Sequence, residues 1–497
     1  MAHGLAGLWD RYSKRRFTMR KAWLKGVLLM FIAVFILSAC SSGVSSNPPA
    51  AQSSTQEKGD DAAASNNEDK ETSGGEASAE DAEQASAFPE PVVDESLKGE
   101  ITFWTWTKAP YDALLKDFNK FYPNIKVKIT EIDFGGLHDK LQTTLAAGKG
   151  APDVSQVEQG QFPRYLAGDV LEDLLQAPYN ASVFKDDTTE YNWVRWMNMD
   201  NSKLLAFPWD VTPGVAYYRA DIFEELGLES DPELLGEYMA DPENWMTVVE
   251  TLTANGKYAM EWRDGPVHWA GDAVGYFDTD LNWVRNTDEL AKVLDVTKRQ
   301  NQMKVAPHMG MFDAKGGKPL VTSGKQAMVM LGSWGARDIE SNFPDQKGKW
   351  RATAPPLGIS WGSGGSGFVI PKQGKNKDLA WKWVEFMHTD YAWQQFIKHS
   401  IQPGWNSINA KEYIKEHTNA YLGGQKDLEM YNKIAESIQP RKLTALDGKA
   451  WPIWLEHILK AIDKNIDAKT TLNNIEDDIN RKLKPDIDKL KKELNMK

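Results

Sequence analysis

The sequence predicts an α/β fold, on three observations. Runs rich in β-forming residues alternate with runs of helical spacing, Gly, Pro and Asn punctuate the boundaries, and no repeat of fixed period overrides the alternation. The first strand is Glu100-Ile-Thr-Phe-Trp-Thr-Trp, which alternates. Leu114, Leu115, Phe118 and Phe121 then recur at helical spacing, Pro123-Asn124 turns the chain, and Ile125-Lys-Val-Lys-Ile alternates as a second strand. Leu137, Leu141 and Leu145 mark the next helix, ending near Gly148, and Asp153-Val-Ser-Gln-Val reads as a third strand. Strands separated by helices imply parallel βαβ units, whose ligands lie beyond the carboxyl ends of the strands. That rule points at Trp104, Trp106, Gln156 and Glu158.

From Gly214 to about Gly265 the pattern is mainly helical, with Asp221-Ile-Phe-Glu-Glu-Leu closing on Gly227. The aromatic, Gly- and Asp-rich stretch from Trp262 to Trp283 reads as a surface region without a regular element. Ala327-Met-Val-Met-Leu is a short apolar strand followed by Gly332-Ser333-Trp334. A glycine-rich joint, Gly362 to Gly367, precedes Phe368-Val-Ile-Pro and a helix from Leu379 to Met387. From about Trp454 the chain is helical and strongly charged.

The N-terminus has the character of a targeting segment. Lys14, Arg15, Arg16, Arg20, Lys21 and Lys25 precede an uncharged run from Gly26 to Ala39, shorter than the roughly 18 apolar residues a spanning helix needs. The run ends in Leu37-Ser38-Ala39-Cys40, which resembles the lipobox of bacterial lipoproteins, where cleavage exposes a cysteine whose sulfur is acylated. This implies a signal peptide over 1–39, a lipid on Cys40, and a mature chain on the outer face of the cell membrane. Met19 is a second plausible start. Residues 41–97 carry 13 acidic and 2 basic residues and few large apolar ones, so 40–97 is expected to be a lipid-anchored disordered acidic linker.

The net charge of −12 argues against nucleic acid as a partner, because a basic face is needed to displace counterions. One cysteine permits no internal disulfide. Asp278, Asp280, Asn282 and Glu289 partly match a calcium loop, but Trp283 stands where that loop needs Gly. No histidine pair has helical zinc spacing. No metal and no cofactor are expected.

Ile101-Thr-Phe-Trp, the stretch from Phe118 to Val127, Gly150-Ala-Pro-Asp-Val, Pro208-Trp-Asp-Val, Tyr217-Tyr-Arg-Ala-Asp-Ile-Phe, Gly324-Lys-Gln-Ala-Met with Gly332-Ser-Trp, and Gly367-Phe-Val-Ile-Pro occur in this order. Together, over roughly 99–482, they resemble the family 1 extracellular solute-binding proteins, which include the maltose-binding type. The resemblance implies a two-lobe, type II periplasmic-binding-protein-like fold with a hinge and an interlobe ligand cleft. It also implies a monomer that closes over a carbohydrate and delivers it to an ABC permease. Lobe one would hold 98–211 and 368–435, and lobe two 214–362 and 440–497, with crossings near Asp210–Gly214, Gly362–Gly367 and Gln439–Pro440.

Sugars present apolar C–H faces and a rim of hydroxyls, so their sites combine flat aromatic rings with carboxylates and amides. The chain has 20 Trp. Trp334 follows the Gly-Ser turn at which the family places a stacking ring. Trp209 and Asp210 sit at the entry to the hinge, Trp106 at a strand end, and Gln156, Glu158 and Gln159 at and after the third strand. Trp451 and Trp454 lie near the third crossing, and Trp361 and Trp405 complete the candidates; Trp262, Trp269, Trp283, Asp264 and Asp272 could line lobe two. Asp153 reads as structural. A secreted carbohydrate-active enzyme would need two carboxyls flanking a bond, for which Glu158 and Asp210 are the available pair; a surface adhesin would need no closing cleft. A polyol or other small solute is the alternative ligand.

Overall fold

The computed structural model describes residues 87–496 apart from 167 and 495. The signal, Cys40 and most of the acidic linker lie outside the described residues. Among the described residues, eight strands form two sheets. β1 (Gly99–Thr105), β2 (Ile125–Glu131), β3 (Val154–Glu158), β4 (Phe207–Pro208) and β8 (Ser366–Val369) order as β2-β1-β3-β8-β4. β5 (Gly214–Arg219), β6 (Met328–Gly332) and β7 (Trp350–Thr353) order as β6-β5-β7. β1 pairs in parallel with β2 and β3, as the helical connections Ala109–Phe121 and Phe134–Ala146 require. β8 and β4 run antiparallel to their neighbours, and these are the strands at which the chain enters and leaves the other lobe.

Local chemistry sets these elements. Pro110 opens the first helix, which buries Tyr111, Leu114 and Phe118 on one face. Asp133 caps the second by accepting from the Gly136 amide at 2.9 Å. Asp153 is structural, as expected: its carboxylate takes the Thr102 amide and hydroxyl at 2.9 and 2.8 Å and the Lys375 amide at 3.0 Å, locking β1 to the segment after β8.

Four expectations need correction. Gly214–Arg219, read as the start of a helical region, is the central strand of the second sheet; all six residues are buried, which removes the alternation that marks a half-exposed strand. Residues Gly265–Val274, read as irregular, form a helix. Its glycines admit close neighbours: a Cβ on Gly265 would lie 2.6 Å from the Trp269 ring, and one on Gly271 2.9 Å from the Arg285 guanidinium.

Residues 419–435, assigned to lobe one, dock on the second sheet. The Gln425 side-chain amide accepts from Ala352 N (2.9 Å) and donates to Ala352 O (2.7 Å) on the outer edge of β7, the Tyr421 hydroxyl donates to Phe343 O (2.7 Å), and the Tyr431 and Tyr217 hydroxyls lie 2.9 Å apart. These contacts put the stretch on the second sheet well before Gln439–Pro440, and an amide side chain imitating a strand leaves no periodic signal. The chain then returns past lobe one, where the Lys442 ammonium donates to Asn198 O at 2.6 Å.

The end of the expected linker is also ordered. Phe88 is 3% exposed, stacked on Phe184 (4.7 Å, 11°) with its edge on Trp405 (4.8 Å). The Asp94 amide donates to Phe121 O at 2.8 Å. The ring in its aromatic socket and the backbone bond at Asp94 together dock a segment whose composition otherwise favours disorder.

Candidate functional site

A cavity of about 680 Å³ lies between the lobes. Lobe one contributes Glu158, Gln159 and Arg164, the second crossing contributes Trp361 to Gly364, the return segment Arg441, and lobe two Asp272, Tyr276, Asp447 and Trp451.

Glu158 ends β3, at the carboxyl edge where open α/β sheets bind ligands. Its carboxylate accepts from the Gly160 and Gln161 amides, and burial pushes its pKa up to about 7, opposed by those bonds and by Arg195 and Arg441. A carboxyl raised this way costs the native state nothing below its ordinary 4.5. The cost grows as pH rises through the window and is complete above about 7. Relative to the native sequence, Glu158→Gln is therefore expected to gain stability between pH 4.5 and pH 8 in urea unfolding; an equal difference at both pH values would refute the assignment.

On the opposite wall, Asp272 is held between two guanidiniums: Arg285 Nη2 at 3.1 Å and Arg441 at 3.9 Å, with Arg441 also donating to the Asp272 carbonyl. Arg285 is fully buried and lies 3.5 Å from the centroid of the Tyr276 ring, fixing that ring at the cavity edge. Asp447 opens the helix Asp447–Lys464 and accepts from the Thr444 hydroxyl; burial pushes its pKa up to about 6, opposed by that bond, Arg441 and Arg285. One turn on, Trp451 stands on the same side of that helix, 41% exposed, against the His268 ring at 5.0 Å. His268 is itself fixed by Asp264 (2.8 Å) and by the Trp454 indole N–H (2.8 Å). Trp361 is buried and stacks on Trp269 at 5.4 Å and 9°. A Cβ on Gly214 would lie 2.4 Å from its ring, so the first crossing must be glycine there.

The candidates divide by placement. Glu158, Gln159, Trp361 and Trp451 line the cavity. Gln159 is spent on the hinge: its amide donates to Gly362 O (3.1 Å) and accepts from the Tyr191 hydroxyl (2.8 Å) and Arg195 (2.9 Å). Trp334 is half-buried beside the second crossing, its indole N–H on Ser363 O at 3.1 Å. Asp210 is a hinge residue whose carboxylate takes the Ser366 amide; burial raises its pKa to about 6.

Gln156, Trp209, Trp405 and Trp454 are corrected from cleft to interior. Gln156 is 1% exposed and accepts from the Thr105 hydroxyl at 2.7 Å. Trp209 is sealed against Phe396 (5.0 Å) and Phe368 (5.4 Å), and Trp405 against Phe207 (5.3 Å). Trp454 is fully buried behind Trp451. Trp106 packs on Phe134 (5.4 Å) and His138 (5.6 Å), away from the cavity lining. Asp278 spends one carboxylate oxygen on the Asp280 and Asn282 backbone amides and the other on the Asn282 side chain. Among the described residues, no group of three His, Cys, Asp or Glu side chains is placed to hold a metal ion.

Tyr276, Arg441 and Asp447 escaped the sequence reading. Asp447 was open to discovery, since it precedes Trp451 by four residues on one helix face. Arg441 was not, because its role depends on where the return segment runs.

A model of the family described as bacterial extracellular solute-binding protein matches residues 104–390. The chain is 27% identical over 323 residues to the arabinooligosaccharide-binding protein of Bacillus subtilis (strain 168), spanning 61% of this chain and 72% of that one. Its fold resembles the galacto-N-biose-/lacto-N-biose I-binding protein of the Bifidobacterium longum ABC transporter (TM-score 0.63, 20% identity, 79% of this chain and 98% of that one). It equally resembles the sugar-binding protein MalE of Xanthomonas citri (TM-score 0.63, 19% identity, 80% and 100%).

Proposed function

This chain belongs to the bacterial extracellular solute-binding proteins, and on that premise we propose that it captures a saccharide of two or more rings between its lobes and hands it to an ABC permease. The observation that carries the reading is the cavity wall itself. An exposed tryptophan face, Trp451, stands beside carboxyl groups and a guanidinium, Glu158, Asp272, Asp447 and Arg441, that reach in from both lobes. Rings take the C–H faces of a sugar, and the charged groups accept from and donate to its hydroxyls. The named ligand of the Bacillus relative, an arabinooligosaccharide, supports the same class. Binding without bond cleavage is the role, the chain acts as a monomer, and the lobe boundaries follow the two sheets.

Titration with arabino-, galacto- and malto-oligosaccharides, followed by Trp fluorescence, should give a saturable response to one series. Silence across all of them with a response to a non-sugar solute would overturn the ligand class. The Leu37-to-Cys40 motif supports a lipid anchor on the outer face of the membrane. Labelled palmitate should therefore enter the parent protein and not Cys40→Ala, and a parent that takes up no label would end that part.

A further inference from the structure

Three chain crossings join the lobes covalently; the C-terminal helix adds a contact of another kind. None of the ten residues of Lys484–Glu493 is buried. Ile487, Leu490, Leu494 and Met496 nevertheless lie half-covered against an apolar cluster built mainly from lobe two. That cluster includes Met199, 6% exposed, and is touched by Leu166. Both belong to lobe one: Leu166 follows β3 and also packs on the lobe-one core, and Met199 sits in the loop before β4. Leu490 and Leu494 share a cavity of about 460 Å³ with Leu166, Met199 and Leu205.

Three ion pairs of the helix stay within lobe two: Asp486 with Lys449 (2.5 Å), Lys484 with Asp488 (3.0 Å) and Lys489 with Glu493 (3.7 Å). Leu490 and Leu494 face lobe one across this cavity, which Lys489 and Glu493 also line, opposite Asp169, Asn198 and Lys203. None of these ion pairs crosses to lobe one, so the contact can part and re-form as the lobes rotate about the crossings.

We propose that the C-terminal helix is a latch: its apolar side rests on Leu166 and Met199 of lobe one and restrains the opening of the cleft. Residues that no neighbour seals in can be removed at small cost to the fold, which makes the latch separable from the body. The proposal rests on the closing-cleft reading but needs no ligand for its test.

Labels at Val183→Cys on lobe one and Lys292→Cys on lobe two, in a Cys40→Ser background, report the interlobe distance by pulsed electron resonance. Two variants are compared with the parent without sugar: a chain ending at Leu483, and the full chain with Leu490→Ser and Leu494→Ser, which answers the question if the shortened chain folds poorly. A shift of the distance distribution to longer values, with the unfolding midpoint of the double variant within a few degrees of the parent, is the expected result. A distribution that coincides with the parent's overturns the latch and leaves the saccharide reading untouched; failure of every sugar titration does the reverse.

Discussion

Arg195→Met is expected to lower the unfolding free energy by about 3–5 kcal/mol, the cost of leaving several buried acceptors without a donor. Arg195 is 1% exposed. Its guanidinium donates to Asp210 O (2.7 Å), Gln159 Oε1 (2.9 Å), the Tyr191 hydroxyl (3.2 Å) and Gly364 O (3.4 Å), and to the Asn192 amide oxygen. These partners belong to the loop after β3, the short helix Glu190–Val194 and the first two crossings. Methionine fills the volume of the stem but leaves the Asp210 and Gly364 carbonyls and the Asn192 amide oxygen without a donor. It also removes a positive charge that opposes the upward shift at Glu158 and Asp210, so both carboxyls should titrate higher still. Arg195→Lys should recover only part of the loss, since an ammonium cannot reproduce a planar fork. Urea unfolding at pH 7 measures it; a loss below about 1 kcal/mol would show that the network is not what holds the crossings together.

Trp451→Ala should leave stability nearly unchanged and weaken saccharide capture by about 30-fold or more, the roughly 2 kcal/mol typical of an aromatic anchor. The ring is 41% exposed, so its removal opens no interior void. Its face turned from solvent meets His268, whose two nitrogens are held by Asp264 and Trp454, so the platform is pre-aimed before a sugar arrives. Isothermal titration with the responding saccharide reads the affinity. Undiminished binding by a folded variant would move the stacking role elsewhere on the wall, to Tyr276 or the edge of Trp361.

The contrast between Trp451 and Trp209 shows what was legible in the sequence. Strand and helix spacing placed the parallel half of the first sheet, because β1, β2 and their helices bury regular faces. The same patterns say nothing about which way a lone tryptophan turns at the end of a strand. Trp209 turned into the ring cluster of Trp393 and Phe396, while Trp451, on a helix whose buried side is made by Trp454 and Ile458, was left outward. Glu158 was recoverable from topology alone, because a carboxyl edge is a position in the sheet. The Arg195 hub was not, since its partners are two backbone carbonyls, two side-chain amides and a hydroxyl gathered from four stretches, with no spacing to mark the set.

The ring of Phe88 has a mechanical corollary. Because it plugs the aromatic socket of lobe one, any pull on the chain upstream of Ala87 is borne by that lobe's interior and never reaches the glycine joints. With the chain anchored through Cys40 as proposed, the first lobe would be the stator and the second the arm that swings.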